Sequence, residues 1–209
     1  SETPSPTTTA TTNQCYPMAD VVFIIDGSTS IEEPELGGDA GYFDYLLNHA
    51  ASIVNRWGEY VNPHGIRVAA VVFGTGPIKV LDFGSFGKGA QTFETVAAQL
   101  TATAFVGGNG LTESNLQGAM AFVREHTLNI STGFRGYEYP VHLLVLTDGN
   151  ARVSNPAFSS NQTLGVSNGE LEAYGELLLQ DELTLEFYEN PALTVWAHGI
   201  GKLANGPIL

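Results

Sequence analysis

Three oxygen-bearing side chains stand at alternate positions in the segment DGSTS: Asp26, Ser28 and Ser30. A carboxylate followed at i+2 and i+4 by hydroxyls places three oxygen ligands on one small loop. Hard cations such as Mg2+ bind oxygen ligands of this kind and complete an octahedron with water. The pattern therefore predicts a divalent-cation site, with Mg2+ as the first expectation and Mn2+ or Ca2+ as alternatives.

The residues before this loop predict a strand that positions it. Val21–Ile25 is a continuous apolar run, rich in β-branched residues and too short for a helix. Such a run is typical of a central strand buried on both faces of a parallel sheet. Ligands of open α/β sheets bind outside the carboxyl ends of the strands. We therefore expect Ala19–Ser30 to be the segment around which the sheet and the site are built.

A second apolar run, Val141–Leu146, also stops at an acid followed by glycine, in the segment Thr147-Asp148-Gly149. The carboxyl ends of parallel strands meet at one edge of a sheet, so Asp26 and Asp148 are expected there together. Between the two strands lies a glycine-rich loop, Gly107–Ser114, which also carries hydroxyls.

The rest of the chain predicts helices and further strands around this pair. Phe43–Trp57 has apolar residues at helical spacing, and Ile66–Phe73 with Lys79–Phe83 reads as a hairpin at a sheet edge. The two tryptophans, Trp57 and Trp196, are expected in the core. The other predicted elements are helices at Thr92–Leu100, Asn115–His126 and Gly169–Tyr188, and a strand with its turn at Leu193–Gly201.

Composition narrows the class of partner. The 209 residues are 43% hydrophobic, enough for one domain with a large core, and 8 basic against 22 acidic residues give a net charge of -14. Nucleic acid and anionic membranes require basic patches and are excluded as partners. No apolar run approaches the roughly 20 residues of a membrane helix, so membrane insertion is not expected.

The N-terminal residues differ in composition from the rest. Residues 1–18 are predicted to be an extended stalk, because Thr, Ser and Pro dominate Ser1–Gln14 and cannot bury a core. The domain itself is assigned to residues 19–209. Asn129 and Asn161 each begin an N-glycosylation sequon, and with the stalk they favour an extracellular, secreted protein.

Cys15 is the single cysteine. In a secreted protein a leftover thiol indicates a disulfide to another chain or to a cysteine outside this sequence, and an unpaired thiol is the alternative.

Three separated motifs occur in a fixed order: a strand followed by DGSTS, a glycine-rich hydroxyl loop that opens a helix, and a strand followed by TDG. Together they resemble the von Willebrand factor type A (integrin I-like) domain, over about Asp20 to Gly201. The resemblance implies an α/β fold: a doubly wound, mostly parallel sheet flanked by helices. It also implies a metal-ion-dependent adhesion site.

Carried over by residue, Asp26, Ser28 and Ser30 match the first motif of the family and Asp148 matches its second acid. The resemblance implies that the serines bind the ion directly and that Asp26 binds it directly or through water. The ligand from the middle loop stays open. Position relative to the helix residues Ala119-Met120 favours Ser114, whereas residue type favours Thr112.

The chain also departs from the family pattern. The segment between Asp148 and the fifth strand is longer than usual, and the last edge strand and helix expected past Gly201 are missing. The cysteine that would pair with Cys15 in extracellular members is absent with them. We expect either a processed or truncated chain, or a sheet that another chain completes by strand addition at an open edge.

The predicted function is non-enzymatic. An extracellular binding or adhesion module would contact a protein ligand through the cation, with the ligand's carboxylate in the ion's open coordination position. The alternative is a structural subunit of an extracellular fibre or matrix, a partner of its own copies through strand addition, the N-terminal segment or a Cys15 disulfide.

Two enzymatic alternatives are disfavoured. Asp26-Gly27-Ser28 reverses the Asp-Ser-Gly order of aspartic proteases. Phosphoryl transfer needs cationic side chains for the phosphates, and Lys and Arg are nearly absent from these loops.

Overall fold

Strand β1 (Ala19–Asp26) lies in the middle of a five-stranded sheet. The structure, a computed structural model, describes residues 17–32, 34, 38–84, 91–105, 113–148 and 168–199, with backbone alone for 168–175. Residues Val21–Asp26 are all buried. The apolar run therefore forms the central strand that the sequence predicts.

The other strands are β2 (Ile66–Phe73), β3 (Pro77–Leu81), β4 (Val141–Thr147) and β5 (Leu193–Gly199). Their order in the sheet is β3-β2-β1-β4-β5. β1 pairs in parallel with both β2 and β4, and β4 pairs in parallel with β5. Only β3 runs antiparallel, in a hairpin with β2 at the sheet edge. The prediction of a mostly parallel sheet with an edge hairpin is confirmed.

Helices cover both faces of the sheet. The α-helices are α1 (Tyr42–Trp57), α2 (Phe93–Thr101), α3 (Leu116–Phe122) and α4 (Asn168–Leu183). Alternate residues of β1 point to opposite layers: Phe23 packs with α1 and α2, and Ile24 packs with α3 and α4. This two-layered burial is the doubly wound architecture. Within the described residues, none of the helices has the length and apolar character needed to cross a membrane.

One helix changes type and another ends earlier than the sequence pattern predicts. The α-helical part of α3 ends at Phe122, and a π-helical turn, Val123–Thr127, continues it past the predicted end at His126. α4 stops at Leu183, since the backbone of Leu185 is extended and a 3-10 turn, Glu186–Glu189, follows. Apolar residues at 185, 187 and 188 continue the hydrophobic pattern, which conceals the break.

The expectation for the two tryptophans is half right. Trp57 is partly buried, and its ring centroid lies 6.2 Å from that of Phe23 in the core. Trp196 is 60% exposed, so its assignment to the core is wrong. It lies on β5, at an end of the sheet, where the described residues pack against it from fewer directions than against a central strand.

An ion pair fixes the end of β1 that lies away from Asp26. Asp20 is fully buried, and its carboxylate accepts hydrogen bonds from Nη2 (2.6 Å), Nε (2.9 Å) and the backbone N–H (3.1 Å) of Arg135. The same guanidinium donates to the carbonyl of Ala19 and lies over the ring of Tyr139. This clamp ties the start of β1 to the segment that leads into β4.

Candidate metal centre

The turn after β1 brings its polar groups inward. Asp26, Ser28 and Ser30 are fully buried. The backbone N–H of Ser28 donates to Oδ1 of Asp26 at 2.9 Å, and the hydroxyls of Ser28 and Ser30 lie 2.9 Å apart. The N–H of Gly27 donates to the carbonyl of Phe73, which holds the turn against β2. The i, i+2, i+4 spacing thus places the polar side chains of Asp26, Ser28 and Ser30 close together in one turn.

Two distant hydroxyls converge on the other carboxylate oxygen of Asp26. Oγ of Ser114 donates to Oδ2 at 2.9 Å, and Oγ1 of Thr147 donates to the same oxygen at 2.7 Å. Both side chains are buried. Asp26 is therefore the residue on which the ends of β1 and β4 and the approach to α3 meet.

The loop after β2 positions Ser114 through its neighbour. The backbone N–H of Asn115 donates to the carbonyl of Gly74 at 2.9 Å, and its Nδ2 donates to the carbonyl of Thr75 at 3.2 Å. The Oδ1 of Asn115 accepts from the N–H of Gly118 and caps α3. One asparagine thus starts the helix and fixes the hydroxyl beside it.

Gly38 allows the segment after the serines to pack closely. A Cβ at this position would overlap the carbonyl oxygens of Ser30 and Ile31. The following N–H, of Asp39, donates to the carbonyl of Ile31 at 3.1 Å. Only glycine permits this close approach. The contact packs the segment at Gly38 against the turn that carries Ser30.

Two acids share the site. Asp148 is 4% exposed at the end of β4. Burial, and then repulsion from Asp148, raise the pKa of Asp26 from 3.8 to about 6, although hydrogen bonds from Thr147 and Ser28 oppose the rise. Two buried carboxylates repel each other, and a bound cation relieves that repulsion.

The structure brings together most of the predicted ligands. Asp26, Ser28, Ser30 and Ser114 are linked by hydrogen bonds, and Asp148 is close enough to act on the charge of Asp26. Sequence reasoning missed Thr147, whose signal was a hydroxyl as the last residue of an apolar strand. Thr112, Cys15 and Asn161 lie outside the described residues. Asn129 is exposed in a turn, where its Oδ1 accepts from the N–H and Oγ of Ser131.

The donor set has the chemistry of a hard-cation site. Among the described residues, His, Cys, Asp and Glu nowhere form a group of three able to hold a metal ion. The oxygen donors here are two carboxylates and several hydroxyls. Mg2+ typically uses one or two carboxylates and retains water in its other positions, so the residues present fit that ion.

The sequence matches the von Willebrand factor type A domain over residues 20–166. The match covers more than half of the chain, which therefore belongs to this family. Membership supports a role as a protein-interaction module. No curated protein sequence matches the chain significantly.

Solved structures of proximal thread matrix protein 1 from the mussel byssus share the fold. One crystal form superposes with a TM-score of 0.62 at 19% identity, covering 90% of this chain and 39% of that chain. A second, described as having a zinc-occupied MIDAS motif, gives 0.57 at 20% identity, with 90% and 39% covered. A third gives 0.58 at 16% identity, with 90% and 37% covered. The present chain spans about two-fifths of that protein, and at these identities the likeness establishes the fold alone.

Proposed function

We propose that this chain is a non-enzymatic, extracellular binding module that contacts a protein ligand through a divalent cation. Asp26, Ser28, Ser30, Ser114 and Asp148 hold the ion, with Thr112 as the alternative to Ser114. Mg2+ is the expected ion, and Mn2+ or Ca2+ are its substitutes. The family match and the zinc-occupied motif of the mussel protein support a divalent site here.

The observation that carries the proposal is the convergence of buried oxygens on Asp26. Its two carboxylate oxygens accept from groups of three separate segments, Ser28, Ser114 and Thr147. Burial, and then the second acid of the site, Asp148, raise the pKa of Asp26. Burying two carboxylates without a counter-ion is costly, and a divalent cation offsets that cost.

The ligand class follows from the charge of the donors. The hydroxyl donors are neutral and only Asp26 and Asp148 of the proposed set carry charge, so the ion stays electrophilic enough to accept an anionic oxygen in an open position. A carboxylate of a partner protein supplies that oxygen. The net charge of -14 repels acidic partners elsewhere on the surface, so the ion must provide the local attraction.

The test is calorimetric titration of the chain with Mg2+ and Mn2+ after chelator treatment. Asp26→Asn should abolish binding, whereas Asp181→Asn, which removes an exposed acid of α4, should leave the affinity unchanged. Equal binding by both variants would overturn the proposed ligand set. A glutamate-containing peptide library, screened with and without chelator, then tests the ligand class.

A second candidate function is a structural subunit of an extracellular matrix or fibre. Among the described residues β5 pairs with β4 alone, and its Trp196 is 60% exposed. Such a strand can be extended by strand addition. The structural neighbours are matrix proteins of the mussel byssal thread, which is consistent with this use.

Light scattering after size exclusion separates the two candidates, in Mg2+ and in excess chelator without reductant. A monomer in both buffers would exclude the subunit role for this chain. Oligomers that dissociate in chelator would make the ion part of the subunit contact. Oligomers that persist in chelator but dissociate in Cys15→Ser would assign the contact to a disulfide. Oligomers that persist in chelator in both wild type and Cys15→Ser would assign it to β5 or the N-terminal segment.

A further inference from the structure

Two histidines from different elements, the helix α1 and the strand β5, lie side by side. The ring centroids of His49 on α1 and His198 on β5 are 5.2 Å apart, with 28° between the ring planes. His49 is half-buried and His198 is exposed. The ring of Tyr45 stacks near-parallel with that of His49, with 6.2 Å between the ring centroids.

We propose that His49 and His198 form a second metal site, a two-imidazole site for a borderline divalent ion such as Zn2+, Cu2+ or Ni2+. Neutral imidazole nitrogens prefer these ions, whereas carboxylate and hydroxyl oxygens prefer Mg2+. The chain thus carries two sites with different ion preferences. The first is built from oxygen donors and the second from nitrogen donors.

The separation of the rings supports shared coordination. Metal–nitrogen bonds of about 2 Å at a tetrahedral ion place the centres of two bound imidazoles about 5 Å apart. The observed 5.2 Å already has this value. Rotation of the rings about χ2, a torsion with a broad distribution in histidine, aims a nitrogen of each at one ion. The exposed His198 can rotate without displacing core side chains.

The charge state supports metal binding as well. Burial, and then repulsion from His198 and Arg56, lower the pKa of His49 below 6.5. The ring is therefore neutral at pH 7 and keeps a lone pair for a metal. Among the described residues the pair has no third His, Cys, Asp or Glu partner, so water completes the coordination and the site is open.

The ion would join the helix α1 to the edge strand β5. Because a ligand bound only by the folded state raises its stability, Zn2+ or Ni2+ should raise the unfolding temperature of the chain through this link. Mg2+ should act only through the Asp26 site.

The experiment is calorimetric titration of the full chain with Zn2+ and Ni2+ in the presence of saturating Mg2+. His49→Gln and His198→Gln should each weaken one binding event at least tenfold and remove its thermal shift. His64→Gln, at an exposed histidine in the turn before β2, and Asp26→Asn should retain both the binding event and the thermal shift. Urea unfolding midpoints of the metal-free variants check that each has folded.

Either of two results would overturn the proposal. One is unchanged Zn2+ and Ni2+ binding in His49→Gln and His198→Gln. The other is binding that disappears only in Asp26→Asn, which would place the borderline ions in the oxygen site. Failure of Asp26→Asn to alter Mg2+ binding would count against the proposed function and leave the histidine site standing.

Discussion

Oγ1 of Thr147 donates a 2.7 Å hydrogen bond to Oδ2 of Asp26, which joins the carboxyl end of β4 to that of β1. The bond favours the ionised carboxylate, since it lowers the pKa of Asp26. Thr147→Val should therefore weaken Mg2+ binding, by about tenfold, as expected for the loss of a group that orients a metal ligand. Thr147→Ser keeps the hydroxyl and should bind nearly as wild type. Calorimetry on the pair checks this, and equal losses in both variants would assign the effect to packing.

The pH dependence of metal binding follows from Asp26. Its pKa is raised to about 6 by burial and by Asp148. Below pH 6 the ion must displace a proton, so the apparent Mg2+ affinity should fall by about tenfold per pH unit. Titrations at pH 5, 6, 7 and 8 measure this. A flat profile across pH 5 to 8 would show that no proton is displaced.

The stability of the metal-free chain should fall as pH rises, whereas the Mg2+ affinity rises with pH. The pKa of Asp26 in the folded state lies above its ordinary value of 3.8, so folding disfavours the ionised form. The contribution of this group to the free energy of unfolding is therefore lost as pH rises from about 4 to about 6. Urea unfolding in chelator should show the loss in wild type, relative to Asp26→Asn. Saturating Mg2+ should restore stability at pH 7 in wild type alone.

Mutation distinguishes between Ser114 and Thr112 as the metal ligand from the middle loop. The hydroxyl of Ser114 lies 2.9 Å from Oδ2 of Asp26, so Ser114→Ala should weaken Mg2+ binding by about tenfold or more. Thr112→Ala should change it less than twofold. Calorimetric affinities of the two variants decide between the positions. The reverse order would make Thr112 the ligand and Ser114 a positioning residue.

Arg135 should be a major contributor to stability. It makes three hydrogen bonds to the fully buried carboxylate of Asp20. Arg135→Ala keeps the backbone bond but removes the two guanidinium bonds and the counter-charge of that buried carboxylate, which costs about 3–5 kcal/mol of unfolding free energy. Arg135→Lys restores the charge without the planar fork and should recover only part of the loss. Arg56→Ala, at an exposed site on α1, is the control in urea unfolding, and a comparable loss there would contradict the assignment.

The sheet could be predicted from the sequence because its central strands are short apolar runs ending in polar turns. β1 and β4 are each of this kind. The proximity of Asp26, Ser28 and Ser30 could also be predicted from their spacing, since it depends on one turn. These features are local, and local sequence determines them.

What the sequence did not reveal depends on distant neighbours. The hydroxyl of Thr147 gains its role from Asp26, 121 residues away. The burial of Asp20 depends on Arg135, at a separation of 115 residues. Among the described residues β5 is the last strand of the sheet, and this position, which the strand's own composition does not determine, leaves Trp196 exposed.

The same long separations have a consequence for synthesis of the chain. Asp26 meets Ser114 and Thr147 across 88 and 121 residues, so the N-terminal third of the chain alone lacks these donors. A ribosome-bound chain that has not yet released the end of β4 would hold Asp26 and its two serines without Thr147 and Asp148. Cation capture at this site would therefore begin only after β4 joins β1, and an ion-dependent signal would report that event during translation.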